Sequence, residues 1–206
     1  MKWKPHWTRA FISHTNAAAA NAARLAEALA RFSIHGFVAH DAIDSGAPWR
    51  GELEDALNSA HALIALVTRD WSASHWTDQE AGWACGRGIP VIPISMGATP
   101  YGFIGDYQAL PWSDDMDSLA EAFMWSYIRM DQPAGVSALV NAAIESPSFA
   151  TSRRILQMLL DVPYADEEIY EAFTQGARSN DQLYDLEPQG LVDRVAEHLE
   201  HLAGQG

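Results

Sequence analysis

The run HALIALVT, residues 61–68, constrains this chain more than any other stretch. Six apolar residues in succession, Ala62–Val67, are too few for a buried helix and show no polar alternation. A strand covered on both faces reads this way, and such strands occur in parallel sheets with helices packed on either side. Similar strand-length runs stand at Arg9–His14 (RAFISH), Gly36–His40 (GFVAH) and Ile89–Ser95. A short fifth strand is expected at Gln108–Trp112, within the Gly/Pro/aromatic loop of residues 97–112. Pro93 cannot donate to a ladder, which predicts a place near a sheet edge for its strand.

Amphipathic stretches fill the intervals. Ala17–Phe32 spaces Leu25 and Leu29 four apart, with Asn16 as an expected N-cap. Arg50–Ala60 follows a loop punctuated by Gly46 and Pro48, and its three acids are expected in the first helical turn. Helices are also predicted over Thr77–Arg87 and Ser118–Met130. Strand and helix in alternation imply a doubly wound α/β sheet. Ligands of such sheets sit beyond the carboxyl ends of the strands, where strand order reverses. Those ends carry Ser13-His14, Asp41 and Thr68-Arg69-Asp70.

Pro133 opens a different region. SALVNAAIE, SRRILQMLLDV, DEEIYEAFTQGA and LVDRVAEHLEHLA all show helical spacing, which predicts three or four short helices. The expected division is therefore residues 1–131 and an acidic helical extension, 132–206. The first part carries 9 Lys/Arg against 15 Asp/Glu, the second 4 against 12, together the net −14 of the chain. Such a surface disfavours nucleic acid and anionic membranes as partners. Cys85 is the only cysteine, so neither an intrachain disulfide nor a multi-cysteine metal centre is available. No secretory signal is recognisable at the N-terminus and no run reaches the ~20 apolar residues of a membrane span. A cytoplasmic location is expected.

Few side chains suggest chemistry. His198 and His201 lack a third partner nearby and read as a solvated helix face, so no metal is expected. There is no Gly-Lys-Ser/Thr of a P-loop and no G-x-S-x-G elbow. Trp112, Phe123, Trp125 and Tyr127 read as core, and His14 as a local hydrogen-bonding residue. Glu80 is the open case. Thr77-x-x-Glu80 fits a capping box, in which the carboxylate folds back onto the helix start. Against that, Trp76, Glu80 and Trp83 share one helical face on the helix after the central strand. The two indoles of the preceding DWSASHW loop are also expected to flank a planar ligand.

Taken in order, RAFISH, GFVAHD, IDSGAPWRGELEDAL, HALIALVTRDWSASHWTDQE, AGWACGRGIPVIPISMG and YGFIGDYQALPW resemble the Toll/interleukin-1 receptor (TIR) domain family over about residues 8–130. The resemblance implies a flavodoxin-like sheet of five parallel strands. It also implies that Asp41–Trp49 is the BB loop through which such domains self-associate. Enzymatic members cleave NAD⁺ at the nicotinamide–ribose bond with a Glu in a W-x-x-x-E pattern, which Trp76–Glu80 satisfies. By the same resemblance Phe11, Ser13, His14, Asp41, Trp49 and Trp76 would bind substrate, NAD⁺ being substrate rather than cofactor. Tyr101, Phe103 and Tyr107 are the candidates for residues that a second protomer would add. The architecture is similar to NAD⁺-consuming proteins of Thoeris-type anti-phage defence, which make a nucleotide signal for a separate effector. A non-catalytic adaptor and a nucleoside deoxyribosyltransferase-like enzyme are the alternative readings.

Overall fold

The computed structural model describes residues 2–38, 49–184 and 190–205, the side chains at 49, 50, 182 and 184 aside. The chain divides into two compact units. One comprises Met1–Ala30 with Ile34–Tyr127, the other Arg31–Ser33 with Ile128–Gly206.

The first unit holds a five-stranded parallel sheet: β1 (Thr8–Ser13), β2 (Ile34–Val38), β3 (Ala62–Thr68), β4 (Val91–Met96) and β5 (Leu110–Pro111). Their order is β2-β1-β3-β4-β5, so β3 is central and every residue from Ala62 to Val67 is buried. The chain steps from β1 outward to β2 and then returns past β1 to β3. The carboxyl ends of β1 and β3 therefore flank the switch point. β4 lies next to the edge, and β5 pairs with it only through Ile94↔Leu110 and Ser95↔Pro111. Pro93 is paired with Ala65 on the β3 side and lies outside the short β4–β5 ladder.

Among the described residues four helices accompany the strands: α1 (Ala19–Leu29), α2 (Trp49–Ser59), α3 (Thr77–Arg87) and α4 (Met116–Met130). Alternation along the strands sends Phe11, Phe37, Leu63, Ala65, Val67 and Val91 into one core with α2 (Leu53, Ala56, Leu57) and α3 (Ala81, Ala84). α1 covers β2 closely on the opposite face. A Cβ on Gly36 would fall 2.9 Å from both Ala26 Cβ and Ile12 Cδ1.

Several local details differ from the sequence expectations. Asn16 is not an N-cap but opens a 3-10 turn, Asn16–Ala18, whose preceding residue Thr15 makes no side-chain cap bond. β2 begins at Ile34 rather than Gly36, because Ser33 takes a left-handed φ of 51° and stops the helical path at once. α2 starts one residue early, at Trp49, which leaves only Glu52 of its three acids in the first turn.

The second unit is helical: α5 (Gln132–Ile144), α6 (Phe149–Leu159), α7 (Glu167–Ala177), α8 (Asp181–Tyr184) and α9 (Leu191–Ala203). The four-residue α8 is too short to leave a periodic signature, which is why the spacing implied at most four helices. Caps define three of the starts. The side chains of Asp131, Ser148 and Asp166 accept from the backbone N–H of Ala134, Thr151 and Ile169. Asn180 Nδ2 donates to the Ile144 carbonyl at 2.7 Å, serving the open end of α5. His198, expected on a solvated face, is half-buried with Nε2 3.1 Å from the Val162 carbonyl oxygen.

Gly135 on α5 is a point of close approach. A Cβ there would lie 2.7 Å from Ile128 Cα and 2.9 Å from its N, so backbone would have to move. Gly135→Ala is expected to destabilise the protein by about 2 kcal/mol despite the better helix propensity of Ala. Chemical denaturation would read this as a lower midpoint.

Candidate functional site

α3 leaves the carboxyl end of central β3 through the 3-10 turn Trp71–Ala73, so its first turn lies at the switch point. Its N-cap position is Trp76, with no side-chain cap bond. Thr77 is therefore already the first helical residue, and it is fully buried. Its hydroxyl donates to the Trp71 carbonyl at 2.9 Å, tying the helix start to the preceding turn. The capping box does not form.

Glu80 is free of the cap and points inward. Its carboxylate accepts from the Ser13 hydroxyl at 2.5 Å, reaching the last residue of β1. Phe11 and Ser13, two apart on one strand, share the face that α3 covers, which explains how a helix residue meets the strand end. Glu80 is only 6% exposed. Burial pushes its carboxyl up to about 7 from 4.5, while the hydrogen bond from Ser13 pulls in the other direction. A carboxyl with these properties exchanges a proton near neutrality, whereas a surface cap would stay ionised.

A second polar group stands at the same end of the sheet. Thr15 Oγ1 lies 3.2 Å from Thr68 Oγ1 and donates to Asp70 Oδ1 at 3.3 Å. Hydrogen bonding from the Thr68 side chain holds Asp70 below its usual range against the opposing effect of burial, and bonds from its own backbone and from Thr15 add to the lowering.

A family model for the TIR domain matches residues 10–123. The chain belongs to the TIR domain family. Among solved structures, the TIR domain of the Toll-related receptor TRR-2 from Hydra magnipapillata is similar at 19% identity and a TM-score of 0.48. That likeness covers 59% of this chain and 98% of the other. Comparison with curated proteins finds no match.

Within this TIR fold the residues expected to bind substrate take different places. Ser13 meets Glu80 directly. His14, the next residue along the chain, is buried, with Nδ1 2.8 Å from the Ile12 carbonyl oxygen. Phe11 is entirely buried and packs on Phe37 with ring centroids 5.4 Å apart, a core contact rather than a pocket wall. Trp76 is 37% exposed at the start of α3. Trp49 opens α2 in its backbone, while its side chain and Asp41 lie outside the described residues.

The two indoles of the DWSASHW loop do not form a pair. Trp71 is 2% exposed and belongs to the core, leaving Trp76 alone at the surface. The shared helical face is divided as well: Glu80 faces β1, and Trp83 Nε1 donates to Asn58 Oδ1 on α2 at 3.2 Å. The aromatic loop after β4 runs along the other flank of α3. There the Tyr101 hydroxyl donates to Asp78 Oδ1 at 2.6 Å, and Phe103 is 79% exposed near Gly82. Among the described residues no group of three His, Cys, Asp or Glu side chains could hold a metal ion. None of their helices is long and apolar enough to cross a membrane.

Proposed function

We propose that this TIR protein cleaves NAD⁺ at the nicotinamide–ribose bond, with Glu80 as the group that meets the developing ribosyl cation. One observation carries the reading: a buried carboxyl, released from helix capping and bonded to Ser13 at the switch point. Nicotinamide departs as a neutral molecule, so its loss needs no proton donor. What it leaves is an electron-poor, oxocarbenium-like ribose. An ionised carboxylate in a low-dielectric setting stabilises that charge far better than it would in water. The same group can accept a hydroxyl proton when the cation is captured. Water as acceptor gives ADP-ribose, an internal atom a cyclic isomer, and another nucleophile a conjugate. Such a product would serve as a nucleotide signal to a separate effector, with self-association through the BB loop as the activating event.

The test is direct. Purified full-length protein, with and without a crowding agent, is incubated with NAD⁺, and products are separated by chromatography and identified by mass. Free nicotinamide equal to the NAD⁺ consumed supports the enzyme. Intact NAD⁺ under every assembling condition rejects it in favour of an adaptor.

A further inference from the structure

We propose that Asp70, held by Thr15 and Thr68, is a second substrate-binding carboxylate that receives the ribose hydroxyls beside Glu80. The inference rests on the NAD⁺-cleaving reading and assigns a subsite to it.

Position comes first. Thr15 follows the end of β1 and precedes the Asn16–Ala18 turn in extended conformation, φ −85° and ψ 160°. Two residues of chain place Thr15 within about 7 Å of Ser13. Ser13 bonds the buried Glu80, and Thr15 bonds the exposed Asp70. Asp70 lies two residues beyond the end of β3, and Glu80 on α3 is bonded to the end of β1, so both carboxylates stand at the strand ends that flank the switch point.

Chemistry comes second. The Asp70 carbonyl closes the Trp71–Ala73 turn by accepting from Ala73 N at 3.0 Å, but its side chain makes no cap bond there. The carboxylate instead accepts from threonine hydroxyls. Among the described residues no basic side chain pairs with it. Asp70 stays ionised while Glu80 titrates near neutrality. Two acids driven apart by their surroundings have different tasks: one exchanges a proton and the other stays an anion. A fixed carboxylate at a switch point is well suited to accept ribose hydroxyls, as acids do in dinucleotide-binding sheets. Thr15 and Thr68 are positioning residues that orient it.

The test compares wild type, Asp70→Asn, Thr15→Val and Thr15→Ser on NAD⁺ and on its analogue lacking the 2′-hydroxyl of the nicotinamide ribose. Circular dichroism verifies that each is folded. Asp70→Asn is expected to raise KM for NAD⁺ about tenfold with kcat within about threefold, because a charge-assisted hydrogen bond is lost. On the deoxy analogue the same substitution adds little. Thr15→Val gives a smaller rise of the same kind, and Thr15→Ser recovers most of it. Equal effects on both substrates, or none, overturn the assignment. If wild type turns over no NAD⁺, the catalytic reading fails, and calorimetry with ADP-ribose decides the subsite separately. There, a hydroxyl-dependent loss of affinity in Asp70→Asn supports it. No binding, or no difference between the proteins, overturns it.

Discussion

Glu80→Gln is expected to cut nicotinamide release from NAD⁺ by about a thousandfold at pH 7.5 while leaving the protein folded. The amide has nearly the same shape and can still accept from Ser13 Oγ, so the contact between α3 and β1 survives. What disappears is the negative charge available to the ribosyl cation. Loss of turnover with an unchanged fold would therefore isolate charge from packing. Turnover within about threefold of wild type would remove Glu80 from the chemistry, whatever its position.

The second large effect is on stability, and it depends on pH. The folded protein keeps the Glu80 proton up to about pH 7, whereas the unfolded chain releases it near 4.5. A carboxyl raised on folding favours the native state fully below the unfolded value. That advantage is lost as pH rises through the folded value. Glu80→Gln carries no proton to lose. Relative to wild type, its stability should rise between pH 4.5 and about 7 and level off above, by roughly 3 kcal/mol at most. The other acids titrate alike in both proteins and cancel in the difference. Paired denaturation curves at pH 4, 6 and 8 read it. A flat difference would mean that Glu80 is solvated in the native protein. Ionised Glu80 is thus a destabilised group, which is a common cost of a reactive carboxyl in a buried place.

Much of this was legible in the chain itself. The unbroken apolar run at β3 required a covered parallel sheet, and α3 was bounded correctly at Thr77–Arg87. Its end is marked by Gly88, whose left-handed φ of 69° favours glycine. The role of Glu80 was not decided by periodicity. Moving the N-cap by one residue, from Thr77 to Trp76, breaks the capping box and sends the carboxylate to β1. Pattern does not resolve a helix start to one residue. Trp71 and Trp76 looked equivalent for a related reason. The 3-10 turn between them has no repeating face, so nothing in the sequence marks one as core and the other as surface. Asp70 was visible just beyond the end of a strand, but of its threonine partners Thr68 ends β3 and Thr15 lies past the end of β1. Thr15 went unremarked because only the β1–β3 pairing brings it to Thr68 and Asp70.

The most direct test of the account is the titration of Glu80 itself, followed by the carboxyl-carbon NMR resonance that Glu80→Gln removes. A midpoint near pH 7 is predicted. In Ser13→Ala it should move higher, since the hydrogen bond that favours the anion is gone. A midpoint in the ordinary glutamate range near 4.5, unmoved by Ser13→Ala, would contradict a buried carboxyl poised at the switch point.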